Sequence, residues 1–305
     1  MVDQQQPEPS TGSRLAVAKT YKLYLGGKFP RSESGRTYPV FDSAGGFLAN
    51  AAQGSRKDAR DAVSAARKAF AGWSGATAYN RGQVVYRIAE MLEGRRADVA
   101  EVVAAGEGVD VAAARNTVDL AVDRLVHYAG WTDKVATVFG GANPVAGPFF
   151  AFSVPEPTGV VAAVAPRDDS LLGLVSVLAP IVSTGNSVVV VASQTRPLPA
   201  IVLGEILATS DVPGGVVNIL TGSPAEMFPW LARHGDVNAL DLTGADPDQR
   251  GSWERDAAGT VKRVFSPPPT DFTRSPGTAR LRAFLETKSV WHPTGSLSLS
   301  GGSSY

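Results

Sequence analysis

The 305-residue sequence contains no cysteine. That absence excludes disulfides, thiolate metal sites and a thiol nucleophile together. Histidine is scarce, with residues only at positions 127, 234 and 292, and no pair has the His-x-x-x-His spacing of a metal site, so no metal centre is expected. A Gly-x-Ser-x-Gly elbow for a serine nucleophile is also missing. Neither charge sign dominates: Lys and Arg total 29 and Asp and Glu total 29, so no net field gathers nucleic acid or an acidic membrane surface. No apolar run reaches the length of a bilayer span, and MVDQQQPEPSTGSRLAVAKT lacks the basic start and apolar centre of a secretory signal. Nucleic acid and membranes are not expected partners, and the cytoplasm is the expected location.

What is present is enough apolar residue, 44% of the chain, to bury a sizeable core. Residues 1–18, rich in Gln, Pro and Ser, read as disordered, as does the tail 296–305. TYKLYLGGKFPRSESGRTYPVFDSAGGFLANAAQG, with its short apolar runs between Gly, Ser and Pro, predicts a small antiparallel β unit. Ser55 then opens a helix with Asp58 at the capping-box position and Ala59, Val63, Ala66 and Phe70 on one face. A second helical pattern carries Val84, Val85, Ile88, Met91, Leu92 and Val99, and a third Val118, Ala121, Val122, Leu125 and Tyr128. These stripes read as core.

AGPFFAFSVPE, about 146–156, has the alternation and flanking prolines of an exposed ribbon or sheet-edge arm. Beyond it, GVVAAVA, SVVVVA, VVNIL and NALDLT alternate with helix-length segments, the pattern of buried parallel strands joined by helical crossovers. The fold class is therefore α/β, a doubly wound parallel sheet. Ligands of such sheets bind beyond the carboxyl ends of the strands, at the loops PRDDS, SQTRP, TGSP and TGADP. SPPPTDFTRSPGT cannot continue a central strand and reads as a linker over 266–280, followed by a short helix, ARLRAFLE, and a strand, TKSVWHP, ending at 295.

EPTGVVAAVAP, APIVSTGNSVVVV, VPGGVVNILTG and NALDLTG resemble the Rossmann-like cofactor-binding domain of the NAD(P)-dependent aldehyde dehydrogenase superfamily. HYAGWTDK and YLGGKF fit as well, and the resemblance runs in order from about residue 21 to 265. It makes 19–265 the cofactor-type domain, with N-terminal helices and a β oligomerisation arm. The resemblance implies a chemistry in which a cysteine thiolate attacks an aldehyde, an asparagine amide holds the oxyanion, NAD(P) accepts hydride and a glutamate activates water.

Set against that pattern, the machinery is degenerate. The family's Pro-Trp-Asn-Phe-Pro corresponds to Pro166, Arg167, Asp168, Asp169 and Ser170, so the oxyanion position is Asp168, a carboxylate that repels an oxyanion. The lysine and glutamate that grasp the adenosine ribose correspond to Val191 and Gln194, and valine has no donor. Thr243, Gly244 and Ala245 keep a family turn, but its second glycine falls at Gln249. TVKRVF leads toward the family's Leu-Glu-Leu-Gly-Gly-Lys but runs into SPPPTDF, placing Pro267 near the general-base position. The catalytic domain is skipped, and LRAFLETKSVWHPTG is similar to the strand that extends a neighbouring subunit's sheet. The whole resembles the catalytically degenerate second module of two-module aldehyde dehydrogenases.

Each candidate has a plainer reading beside it. Asp168 and Asp169 are a paired carboxylate site or, more simply, the cap of a helix. Thr221 and Gly222, like Thr243 and Gly244, contact a phosphate at a helix start or merely form an N-cap. His234 reads as a dipole partner at a helix C-terminus. Trp291 and His292 anchor an interface or pack on their own domain. The functional expectation is a non-catalytic aldehyde-dehydrogenase-like subunit that binds no cofactor and pairs with itself or with a catalytically complete homologue to scaffold or regulate it. The alternatives are a residual NAD(P)- or nucleotide-binding module, and an oxidoreductase active only beside a partner that supplies the cysteine.

Overall fold

The computed structural model describes residues 19–294; the readings for 1–18 and 296–305 lie outside them. In chain order the elements are β1 (Thr20–Tyr21), β2 (Thr37–Phe41), β3 (Phe47–Ala52), α1 (Arg56–Gly75), α2 (Ala78–Gly94), α3 (Arg96–Glu107), α4 (Val111–Ala129), α5 (Val135–Phe139), β4 (Gly141–Asn143) and β5 (Phe149–Pro157). There follow β6 (Val160–Val164), α6 (Leu172–Ser183), β7 (Ser187–Val191), α7 (Leu198–Leu207), β8 (Val217–Leu220), α8 (Pro224–Arg233), β9 (Ala239–Asp241), α9 (Pro247–Ala258), β10 (Arg263–Phe265), α10 (Ala279–Ala283) and β11 (Leu285–Pro293).

The centre is a five-stranded parallel sheet in the order β10-β9-β6-β7-β8. β6 and the valine run of β7 are buried and apolar on both faces because helices cover both. Val160, Ala162, Val164, Val189 and Val191 pack with α1, α8 and α9, while Val161, Ala163, Val188 and Val190 pack with α2, α3, α4, α6 and α7. The period-2 split of consecutive valines is the direct consequence of the pleat. Ser55 accepts from Asp58 N, and the Asp58 carboxylate accepts from Ser55 N at 2.8 Å, closing the capping box that starts α1. At the other end of that core Asn186 Oδ1 accepts from Gly159 N (2.8 Å), and Asn186 Nδ2 donates to Phe284 O (2.9 Å), tying the turn before β7 to the end of α10.

Several local expectations are corrected. The N-terminal unit is mixed rather than antiparallel: β2 and β3 form a hairpin, but β1 runs parallel to β3. After β1 the chain leaves to pair Tyr24 with Ile219 at the edge of β8, and it returns as β2 on the side of β3 opposite β1. The stripe from Val84 to Val99 is two helices, because Gly94 ends α2 and Arg95 leaves helical geometry before α3 begins. A fifth strand, β10, joins the sheet, and α10 covers only Ala279–Ala283 of ARLRAFLE. The 266–280 stretch is anchored along its length: Arg250 Nη1 donates to Pro267 O (3.0 Å), Arg124 Nη2 to the carbonyls of Phe272 and Arg274, and Phe272 is buried. Among the described residues no helix is long and apolar enough to cross a membrane.

The third sheet has the order β11-β5-β4 and projects as an arm. β5 and β11 pair antiparallel over their full lengths, from Leu285 opposite Pro157 to Pro293 opposite Phe149. TKSVWHP therefore has one edge already paired with its own chain, and among the described residues the outer edges of β11 and β4 have no partner strand.

Candidate functional site

The four loops at the carboxyl ends of β6 to β9 form a crest, where a doubly wound sheet places its ligands. After β6, Asp168 points into solvent with 81% of its side chain exposed, and its Oδ1 lies 3.8 Å from Arg196 Nη1. Its backbone carbonyl accepts from the same Arg196 Nη1 at 2.6 Å. Asp169 turns inward, its Oδ1 accepting from Gly173 N at 2.7 Å in the first turn of α6. Burial pushes its carboxyl above the ordinary range, the Gly173 N–H pulls it back, and Glu107 adds to the rise. Ser170 is buried, donating through N and Oγ to Glu107 Oε1 at 2.8 and 2.6 Å. The two carboxylates thus diverge. Capping falls to Asp169 alone, and only Arg167 and Asp168 are exposed.

After β7, Val191 is sealed in the sheet and Gln194 sits exposed on the rim. Between them Ser193 Oγ donates to Arg167 O (2.7 Å) and accepts from Arg196 N (3.1 Å), so the loop is tied to its neighbour. After β8, Thr221 is buried and its hydroxyl donates to Ala52 O at 2.6 Å. Gly222 has φ of +119, and a Cβ there would come within 3.0 Å of Gly54 N. The Thr-Gly pair therefore serves the junction with β3, a requirement for glycine that needs no phosphate.

After β9, Asp241 is fully buried and is the hub of a network. Its Oδ2 accepts from Arg280 Nη1 at 3.0 Å, its Oδ1 accepts from Thr243 N at 3.0 Å and from the Thr243 hydroxyl, and Arg280 Nη1 also donates to Thr243 Oγ1 at 3.0 Å. Burial pushes the Asp241 carboxyl up; Arg280 and Thr243 pull it down. The Arg280 guanidinium lies 5.0 Å from the Phe265 ring centre and 5.7 Å from that of Phe272. At Gly244 a Cβ would stand 1.9 Å from Ala165 O, so glycine is obligatory for the contact between the two turns. The remaining cleft, among Val164, Arg167, Gln194, Gly244 and Asp246, measures about 130 Å³. Ordinary small-molecule sites hold roughly 300–1,000 Å³.

No sequence motif marks Arg124, Asp241 or Arg280, yet they organise this end of the molecule. A signal existed: Arg124 stands on the apolar face marked by Ala121, Leu125 and Tyr128, and Asp241 interrupts a buried strand. Buried charges require partners.

The histidines do not converge. His234 Nδ1 accepts from Asp236 N at 3.1 Å, and burial lowers its pKa, so it is a neutral acceptor rather than a cation on the helix dipole. His127 is held low by burial and by Arg124, and His292 stacks on Phe152. Among the described residues no three metal-ligating side chains cluster. On the arm Phe149 and Trp291 meet edge to face at 5.7 Å, with Trp291 57% and Phe150 53% exposed.

Comparison with known proteins is consistent across methods. The model described as "Aldehyde dehydrogenase family" matches residues 29–266. The mitochondrial benzaldehyde dehydrogenase of Antirrhinum majus is 32% identical over 247 residues, which are 80% of this chain and 46% of that protein. Retinal dehydrogenase 2 of Gallus gallus is 33% identical over 264 residues, 84% of this chain and 50% of that protein. Among solved structures, HpcC from Thermus thermophilus superposes with a TM-score of 0.77 at 30% identity, covering 81% of this chain and 47% of that one. A betaine aldehyde dehydrogenase from Staphylococcus aureus, solved with NAD+, gives 0.76 at 25% identity over 80% of this chain and 49% of its own. The chain spans about half the length of the curated relatives it matches.

Proposed function

Because the chain belongs to the aldehyde dehydrogenase family, we propose that it is a non-catalytic subunit of that fold, which pairs through its β4-β5-β11 arm with a catalytically complete aldehyde dehydrogenase and scaffolds or regulates it. One observation carries this reading: the crest's buried Thr221, Thr243 and Asp241 are bonded within their own chain, while the arm keeps its aromatic side chains open. Thr221, Thr243 and Asp241 have internal partners, the position that resembles the ribose-grasping lysine is the buried Val191, and the sequence holds no thiol. A site so committed has neither a nucleophile nor a donor aimed at a developing oxyanion. It takes NAD(P) no better than its cleft allows. The arm, in contrast, offers unpaired strand edges and an exposed Trp, the materials of sheet extension and of an interface hot spot.

Native mass spectrometry of the protein from its own cells tests the reading, with the expected species a hetero-oligomer containing a full-length aldehyde dehydrogenase and no nucleotide on this chain. Purified alone, the chain is expected to form no NADH from benzaldehyde or betaine aldehyde and to give no heat on titration with NAD+ at millimolar concentration. Aldehyde oxidation by the chain alone would sink the proposal, and nucleotide binding without oxidation would replace it with a nucleotide-sensing module.

A further inference from the structure

A second concave surface lies far from the crest in sequence, between the connection from β1 to β2 and the end of β3. It encloses about 200 Å³ and is lined by Thr20, Lys22, Arg31, Gly35, Arg36 and Thr37, beside Tyr21, Ser32 and Ala52. No carboxylate lines it. The nearest acids are engaged elsewhere: Glu33 pairs with Lys57 at 3.1 Å, and the buried Asp58 carboxylate accepts from Ser32 Oγ, Glu33 N and Ser55 N. Of the three cations only Arg36 has an ion-pair partner among the described residues, Glu226 at 3.3 Å. Lys22 and Arg31 have none there, and the Thr20 and Thr37 hydroxyls make no hydrogen bond there. At Gly35, with φ of +67, the space a side chain would occupy is empty, which keeps the mouth open.

Lys22 and Arg31 without an ion-pair partner among the described residues, Arg36 shared with Glu226, and two threonines around one small cavity supply the donor set for a phosphate group, because charge-assisted N–H and O–H bonds to an anion are roughly twice as strong as neutral ones. We propose that this cleft binds a small phosphate-bearing anion, held by Lys22, Arg31 and Arg36, with Thr20 and Thr37 donating to it. The volume suits one or two phosphate groups rather than a whole dinucleotide. The larger cleft of about 330 Å³ beside Arg263 and Arg282 is less suited, because Glu286 already takes two hydrogen bonds from the Arg263 guanidinium.

The test is isothermal titration calorimetry of sodium pyrophosphate into the full-length chain, with sodium chloride at matched ionic strength as the control. Wild type is expected to show saturable 1:1 binding that weakens as salt rises. The double variant Lys22→Gln, Arg31→Gln is expected to bind at least about tenfold more weakly, with Arg31→Lys, which keeps the charge, retaining most of the affinity. Circular dichroism confirms that each variant is folded; if the double variant is not, the single substitutions give the same reading at smaller effect. Absence of saturable pyrophosphate binding by wild type, or equal binding by the charge-removing variants, overturns the proposal.

Discussion

The crest of the five-stranded sheet and the three-stranded arm are built from the same chemistry and use it in opposite directions. At the crest, side chains that look like ligand donors face inward: Thr221 serves β3, Thr243 and Arg280 serve Asp241, and Ser170 serves Glu107. In the arm, residues that ought to be core face outward, with Phe150 and Trp291 more than half exposed. A buried polar group that is left unpaired is costly, and the Thr221, Thr243, Asp241 and Ser170 side chains of the crest meet that cost with bonds inside the chain. An exposed apolar cluster has no comparable internal remedy, and the proposed contact with another subunit would supply one.

The sharpest way to break the comparison is at Asp241. Asp241→Ala leaves Arg280 buried without its counter-charge and is expected to cost about 3–5 kcal/mol in urea denaturation. Replacing the pair together, as Asp241→Leu with Arg280→Met, should recover part of that loss, because neither charge is stranded, while Thr243 N loses its acceptor. A negligible effect of the single variant would show that the crest is not internally closed.

The arm is expected to respond in association rather than in folding. Trp291→Ala and Phe150→Ala should each weaken assembly by about 2 kcal/mol or more if these side chains are hot spots. Sedimentation against concentration reads that change, and the urea midpoint is expected to hardly move. A fall in the midpoint with assembly unchanged would mean that the aromatics pack only on their own sheet.

A smaller effect is expected at the turn into β10, on the edge of the sheet nearest the arm. Val261 adopts φ of +52 and is 92% exposed, closing the end of α9 in a conformation that disfavours a β-branched residue. Val261→Gly relieves that strain and should stabilise the chain by about 1 kcal/mol, measured as a raised urea midpoint.

The smallest signal is a pH slope at Asp169. Its folded carboxyl titrates above the ordinary 3.8 because it is buried. The folded chain therefore holds a proton that the unfolded chain has already released, and stability falls as pH rises from 3.8 toward the raised value. Asp169→Asn keeps an oxygen acceptor for Gly173 N and removes the titration. Denaturation from about pH 4 upward should show a flatter decline for the variant than for wild type; parallel slopes would place Asp169 in a more solvated setting.

Much of this was legible in the chain itself. The valine runs announced buried parallel strands, Ser55 and Asp58 announced the start of α1, and the order of motifs resembled the family to which the chain belongs. The arm was readable from AGPFFAFSVPE, although its partner was not, since nothing local says that β11 returns to β5. The crest was the hardest to read. Thr221 and Gly222 have the residue types of a phosphate turn, and only the approach of Ala52 and Gly54, far away in sequence, shows what they do. His234 sits at a helix end as a cationic cap would, but it accepts a hydrogen bond from Asp236 N and burial keeps it neutral.

By itself the sequence determined the alternation of strands and helices, the absence of a thiol and the substitutions at the family's chemical positions, because each depends on residue type and local period. Only the tertiary structure decided where the polar groups of the crest are satisfied, that Arg124 and Arg280 draw residues 266–280 down over β9 and α4, and which strand edges stay open. Those outcomes rest on partners separated by tens to hundreds of residues, and a buried charge or an unpaired edge has meaning only once the chain has brought its partner beside it or left it without one.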